Sequence, residues 1–374
     1  MKVMTFVGTR PELIKLSRVL SELDRNVQHL LVHSGQNFDY ELNDIFFEQL
    51  ALRPPDLFLN AAAESAVDTI ANVLKAADRV LEQHRPDAVL VLGDTNSGLA
   101  VLAAKRRQIP IFHMEAGNRC FDQRVPEEIN RRIIDHVSDI NLTYTEHARR
   151  YLLAEGLAPQ TVIKTGSPMR EVLAHYRPGI EGSSVLGELS LEPRRYFVVS
   201  AHREENVDRP ERLAALVQVV NHLAALHEVP VVLSTHPRTR KRLEREPGLV
   251  FDARVRALKP LGFLDYIKLQ LNALCVLSDS GTVTEEAAIL GFPAVTIRQA
   301  HERPEGTDAG TLIMADLTVG RVVDAVKVLT SDAWREGVRL PAPQDYDAEL
   351  VSKKVLRIIM SYTDYVRRTV WFQL

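Results

Sequence analysis

The sequence is poor in cysteine: its 374 residues include two, Cys120 and Cys275. A metal site built on cysteine alone is therefore excluded, one disulfide is allowed but not implied, and the usage fits a reducing cytoplasm. An excess of basic charge is also missing. Lys and Arg number 46 against 49 Asp and Glu, for a net charge of -3, so nucleic acid is not expected as the partner. No run approaches the roughly 20 apolar residues of a membrane span, so no membrane insertion is expected. The opening MKVMTFVGTRPELIK has one lysine before a short apolar run. That run ends in Gly-Thr-Arg-Pro-Glu and not in a small-residue cleavage site, so it does not read as a secretory signal. A Walker loop, a GxGxxG fingerprint, an HExxH helix and a GxSxG elbow are all absent. ATP, NAD, zinc and serine-hydrolase chemistries are accordingly not indicated.

Hydrophobic residues make up 45% of the chain, enough to bury a substantial core in two or three domains. Short apolar runs alternate with longer amphipathic ones. KVMTFVG, VQHLLVH, DAVLVLG, PIFHME, INLTY and VIKTG read as strands covered on both faces. PELIKLSRVLSEL and SAVDTIANVLKAADRVLEQH read as the helices between them. This is the βαβ rhythm of a doubly wound parallel sheet. It breaks in RPGIEGSSVLGELSLEPR, rich in Gly, Ser and Pro, and restarts with RYFVVSA, VPVVLST, VRALK, CVLSD and PAVTI. The expectation is a Rossmann-like domain over 1–176, a linker over 177–194, a second Rossmann-like domain over 195–345, and a helical tail over 346–374.

Open parallel sheets bind ligands beyond the carboxyl ends of their strands, so the residues that follow each strand matter most. After the first come Gly8, Thr9, Arg10, Pro11 and Glu12, then Lys15. Thr9 suits an N-cap, Pro11 suits the first turn, and Arg10 and Lys15 beside a helix start suit an anion; an ordinary strand–helix turn fits equally well. Asp94 follows the next strand, either as a helix cap or as a carboxylate over a cleft. His113 and Glu115 follow PIF and open HMEAGNRCFDQRVPEEINRR, which carries Glu127, Glu128, Arg131 and Arg132 among other charges. This stretch reads as an ion-pair knot or as a set of aimed carboxylates. In the second half His202 and His236 end successive strands. Ser280, Gly281 and Thr282 precede a helix and offer hydroxyls and N–H groups to a phosphate, with Glu286 one turn in, within reach of a ribose diol. Arg298, His301, Glu302 and Arg303 follow the last strand. Polar residues after at least six strands, in both halves, point to a cleft site.

GTRPELIK, SGQN, GDTNS, HMEAGNR, PEEINRR, SAHREEN, SDSGTVTEEAAILG and HERPEGTDAGT occur in that order. Together they resemble the non-hydrolysing UDP-N-acetylglucosamine 2-epimerase family, from Val3 to about Leu329. The resemblance implies a GT-B architecture: two Rossmann-like domains facing a cleft that holds a UDP-sugar, and a C-terminal helix returning to the first domain. It implies an isomerase that eliminates UDP to a 2-acetamidoglycal and adds it back with C2 inverted, without cofactor or metal. A C2 hydrogen is not acidic, so C1–O cleavage must lead and positive charge grows on the sugar. Carboxylates stabilise that charge, and one takes the proton.

Carried over by motif, Asp94, Glu115 and Glu127 become the acid/base and charge-stabilising candidates, with His202 beside the diphosphate. Arg10, Ser280, Gly281 and Thr282 would bind phosphate and Glu286 the ribose, with Lys15, Arg131, His236 and Arg303 in support. The chain departs from the common family pattern at Glu204, at Thr282 to Thr284, and at Asn37, which stands where Gly-Gln-His is usual. Some members bind an activating second UDP-sugar beside that motif. Asn118, Cys120 and Gln123, with STHPRTRKRL, most resemble the UDP-N-acetyl-L-fucosamine synthases of capsule and O-antigen pathways. The implied substrate is then UDP-2-acetamido-2,6-dideoxy-L-talose, with UDP-N-acetylglucosamine as the alternative. A GT-B glycosyltransferase is the rival from another class, and would need less carboxylate at the sugar. A cytoplasmic homodimer is the family expectation.

Overall fold

The computed structural model describes residues 1–35, 44–298 and 302–373. Gln36 and Asn37 of the SGQN motif, and His301, lie outside the described residues. The chain divides into two compact units, Met1–His175 with Gln344–Leu374, and Tyr176–Pro343.

The first unit is a parallel sheet of seven strands: β1 (Lys2–Val7), β2 (Gln28–His33), β3 (Leu57–Phe58), β4 (Ala88–Leu92), β5 (Ile111–Met114), β6 (Ile140–Thr143) and β7 (Val162–Lys164). Their order is β3-β2-β1-β4-β5-β6-β7. The order reverses between β1 and β4, where Val3, Met4 and Thr5 pair with Ala88, Val89 and Leu90. All of β4 and β5 is buried, as unbroken apolar runs require when helices cover both faces. The helix Arg10–Asn26 begins behind Thr9 with Pro11 in its first turn and a capping box closed by Glu12. The tail helix Val351–Val370 packs on Arg10–Asn26. Ser352 N donates to Glu171 Oε2 at 2.9 Å, Lys354 Nζ to the Thr165 carbonyl at 2.9 Å, and Arg367 to Asp87 Oδ1 at 2.8 Å.

The second unit repeats the plan with six parallel strands: β8 (Phe197–Ser200), β9 (Val231–Ser234), β10 (Val255–Leu258), β11 (Cys275–Ser278), β12 (Ala294–Thr296) and β13 (Ile313–Met314), in the order β10-β9-β8-β11-β12-β13. Alternate residues of β8 feed different cores: Phe197 and Val199 join Leu216, Val220 and Val322, while Val198 joins Leu269, Val283 and Val185. A period of two with both faces apolar makes the sheet the middle layer of the unit. Two Rossmann-like doubly wound sheets, of the kind GT-B proteins carry, are thus present.

Two details depart from the sequence expectation. The stretch 177–194 is not a free linker. It contains the end of the helix Met169–Gly182 and the short helix Val185–Glu188. Val185 and Leu191 are buried in the second unit's core. Pro178, Gly179 and Gly182 lie within the first of these helices and Gly187 within the second, while the apolar residues among them anchor the stretch. The two-residue strands β3 and β13 were not expected, because so short an edge strand leaves no periodicity to read.

Candidate active site

Each sheet has one place where neighbouring connections leave in opposite directions, and in such folds the crevice there takes the ligand. In the first unit it lies between the turns after β1 and β4. In the second it lies between the turns after β8 and β11. Arg10 and Asp94 follow β1 and β4 at the first place, and His202, Ser280 and Gly281 follow β8 and β11 at the second.

In the first unit the turn after β5 carries Glu115 with φ of 63°, a left-handed backbone that costs a non-glycine residue about 1–3 kcal/mol and must be held by its surroundings. Gly117 follows with φ of 83°, and a Cβ there would lie 2.5 Å from the Ala148 carbonyl oxygen, so the turn needs glycine. Asp135, fully buried, accepts from Gly117 N at 3.1 and 3.2 Å and from Arg119 at 2.7 Å. Arg119 in turn grips both oxygens of Glu155, at 2.8 and 2.7 Å. His113, also buried, donates from Nε2 to the Gly93 carbonyl at 2.8 Å, and its Nδ1 lies 2.9 Å from Asp135 Oδ1. The turns bearing Asp94 and Glu115 are therefore tied to one buried polar frame.

Within that frame two charge pairs form. Lys15 Nζ donates to Glu115 Oε2 at 2.5 Å, with both side chains almost closed to solvent at 2% and 9% exposure. Asn118 Nδ2 donates to the other oxygen at 3.2 Å, and the Tyr144 ring lies 5.6 Å from Lys15 Nζ. Arg131 donates to Asp94 Oδ2 at 2.7 Å and to Glu128 Oε2 at 3.2 Å, while Asn130 holds the Asp94 carbonyl at 3.0 Å. A carboxylate fixed by a buried cation on one side offers its remaining lone pairs in a set direction, as charge stabilisation and proton transfer need. Glu127 stands half-buried on the first turn of the helix Pro126–Val137. Its neighbour Glu128 is the one that turns inward, to Arg131 and to Cys120 N at 3.0 Å. Burial raises the Glu128 carboxyl, but the Cys120 donors, Arg131 and Arg119 outweigh it and hold the group below its ordinary value. Arg10 opens its helix, half-buried.

Glu12, not among the expected site residues, is 1% exposed and accepts from Gly8 N at 3.0 Å, Thr9 N at 2.7 Å, Thr9 Oγ1 at 2.8 Å and Thr95 Oγ1 at 3.1 Å. Burial pushes its carboxyl up to about 7, against the pull of these donors. The spacing Thr-x-x-Glu at a helix start was the available signal for its first three bonds.

In the second unit Asp279 is fully buried and gathers the turn after β8. It accepts from His202 N at 3.0 Å, Arg203 N at 3.0 Å and Asn206 Nδ2 at 3.1 Å, and His202 Nδ1 lies 3.0 Å from Oδ1. Burial opposes its ionisation, but His202 and these donors hold it well below the usual carboxylate range. An aspartate on Nδ1 fixes the ring and leaves Nε2 on its other side, where a developing anion can use it. The His236 ring centroid is 6.1 Å from that of His202. Arg203 donates to the Asp279 carbonyl at 3.0 Å and to Glu302 at 3.0 Å. Ser280 and Thr282 share a 3.1 Å hydroxyl hydrogen bond at the start of the helix Thr282–Leu290. Arg303 donates to the Gly281 carbonyl at 2.6 Å and to Glu285 at 2.8 Å. Glu286 accepts from Gln270 at 2.9 Å. Glu302 was expected only as one of the polar residues after the last strand, with no role of its own; no role was expected for Asp279 or Gln270.

A family model described as UDP-N-acetylglucosamine 2-epimerase matches residues 21–360 of the chain. The solved UDP-N-acetylglucosamine 2-epimerase from Rickettsia bellii is similar with a TM-score of 0.92 at 54% identity, over 100% of both chains. The Methanocaldococcus jannaschii UDP-GlcNAc 2-epimerase, solved in complex with UDP-GlcNAc and UDP, gives 0.90 at 32% identity, over 96% of this chain and 100% of that one. The UDP-2,3-diacetamido-2,3-dideoxy-D-glucuronate 2-epimerase of Pseudomonas aeruginosa is 35% identical over 332 residues, or 87% of this chain and 92% of the relative.

Proposed function

We propose that this chain, which belongs to the UDP-N-acetylglucosamine 2-epimerase family and is an isomerase, inverts C2 of a UDP-2-acetamido sugar by elimination and re-addition of UDP. In the forward step the C1–O bond breaks with its electron pair leaving on the β-phosphate. A carboxylate removes the C2 proton, and a C1–C2 double bond remains in a 2-acetamidoglycal. On return a phosphate oxygen attacks C1 and a proton is delivered to the opposite face of C2. Atoms and electrons balance without an oxidant.

The observation that carries this reading is the pair of cation-fixed carboxylates, Asp94 on Arg131 after β4 and Glu115 on Lys15 after β5, beyond the strand ends of the first sheet. They suit a sugar that becomes positive at C1. Glu127 joins them as the third acid/base candidate. The second unit suits the departing diphosphate, with His202, His236, Ser280, Gly281, Thr282 and Arg303 around it and Glu286 on the ribose. Arg10, at the start of the first unit's helix Arg10–Asn26, is a further phosphate-binding candidate.

For the sugar we favour UDP-2-acetamido-2,6-dideoxy-L-talose, giving UDP-N-acetyl-L-fucosamine, on the strength of Asn118, Cys120 and Gln123 in the loop that follows Glu115. Such a product fits capsule or O-antigen assembly from the cytoplasm, by a homodimer. UDP-N-acetylglucosamine is the second reading, favoured by the names of the relatives. The Pseudomonas relative takes a third sugar by its name, so family membership does not fix this choice. Incubation with each UDP-sugar in D₂O separates the readings. Deuterium is expected at C2 with UDP still attached, and with the larger kcat/KM for the 6-deoxy sugar. A larger value for UDP-N-acetylglucosamine would reverse the substrate assignment, and free sugar plus UDP as the only products would overturn the reaction.

A further inference from the structure

We infer that Glu12 is a positioning residue whose buried carboxylate straps the turn after β1 to the turn after β4, and so sets where Asp94 stands relative to Arg10. The capping box accounts for only one of its oxygens: Oε2 takes Gly8 N, Thr9 N and Thr9 Oγ1. Oε1 reaches across the switch point to the hydroxyl of Thr95, 83 residues away in sequence and next to Asp94. The two turns are pressed together at this place. A Cβ on Gly8 would lie 2.1 Å from Ser97 Oγ and 2.3 Å from Ser34 Oγ, and those two hydroxyls are hydrogen-bonded at 2.9 Å. Gly8 contributes no side chain to the contact, and the bond from Thr95 to Glu12 is a side-chain tie across it. At 1% exposure, no bulk water replaces a lost acceptor. Arg131 and Asn130 hold Asp94 from one side, and the strap holds the following residue from the other.

This role rests on the epimerase reading, and the tests are chosen so that the two fail separately. Thr95→Val keeps the branched shape and removes the hydroxyl, which makes no capping bond in its own turn. Because small misplacements of reacting groups cost rate steeply, the expected effect is a fall in kcat of about tenfold. KM should stay within about twofold and melting nearly unchanged, a split that a merely structural hydroxyl would not produce. Glu12→Gln can offer its carbonyl to the three donors and its amide to Thr95 Oγ1, so it should lose only about threefold, while Glu12→Ala should lose more. In the Glu12→Ala background the Thr95→Val change should cost nothing further. An unaltered kcat in Thr95→Val, or the same loss with and without Glu12, would overturn the strap. If the unaltered protein exchanges C2 of no UDP-sugar, the epimerase reading fails and amide exchange without substrate still judges the strap. Amides of 93–98 should then exchange about tenfold faster in Thr95→Val, and equal rates would reject it.

Discussion

Glutamine in place of Glu115 is expected to slow C2 deuterium exchange by about 10³-fold, within the usual range for a general acid–base group. The Gln side chain keeps the size of Glu115, and its carbonyl oxygen can still accept from Lys15, which now donates to one carboxylate oxygen at 2.5 Å; its amide NH2 cannot accept from Asn118, which donates to the other at 3.2 Å. What it loses is the negative charge proposed to stabilise a positive C1, and the capacity to take a proton. Because Glu115 makes none of the proposed diphosphate and ribose contacts, UDP affinity should change less than about threefold. Calorimetric titration with UDP, run on the same preparation as the exchange assay, checks both halves. A variant that binds UDP normally and still exchanges at near the original rate would remove Glu115 from the chemistry and leave Asp94 and Glu127.

The second large effect concerns stability. Lys15→Met should destabilise the fold by about 3–5 kcal/mol, the cost of stranding one member of a buried ion pair. Lys15 is 1% exposed and sits in the helix Arg10–Asn26, on which the tail helix packs. Its methylenes have a close apolar match in Met, so packing changes little and the Glu115 carboxylate bears the loss. The double variant Lys15→Met with Glu115→Gln should recover most of the stability, because no uncompensated charge then remains. Denaturant unfolding of the two single variants and the double variant closes the cycle. A double variant no more stable than Lys15→Met would mean that Lys15 acts through packing and not through Glu115.

How much of this was legible in the sequence follows from the range of each interaction. Both sheets were readable because strands buried on two faces are unbroken apolar runs, such as AVLVL in β4 and CVLS in β11. Their ends were readable because Gly93, His202 and Asp279 interrupt those runs. The capping box of Glu12 was readable in principle, being a contact of three residues' span. Contacts between strand ends were not. Lys15 meets Glu115 across 100 positions, Asp94 meets Arg131 across 37, and Asp279 collects His202 and Asn206 across more than 70. Each depends on strand order, which local periodicity does not encode. The pair Glu127 and Glu128 illustrates the limit within one turn: adjacent carboxylates look alike in sequence, and helix phase alone sends Glu128 to Arg131.

The stretch from His113 to Arg132 is an ion-pair frame, and the catalytic part given to its carboxylates is our proposal. Arg119, Arg124 and Arg132 neutralise Asp135, Asp122 and Glu128 in an ion-pair frame. The same stretch holds Glu115 through Asn118 and Asp94 through Arg131. Glu115 itself keeps a left-handed backbone that its surroundings must hold.

The central claim is that the bond from C1 to the diphosphate breaks and re-forms during every inversion. Positional isotope exchange tests it most directly, with a UDP-sugar carrying oxygen-18 in the bridge between C1 and the β-phosphorus. If UDP departs, turns at its phosphate and returns, the epimerised product should carry the label spread over the bridging and non-bridging β-phosphate oxygens. Epimerised product with all of its label still in the bridge would contradict elimination and re-addition.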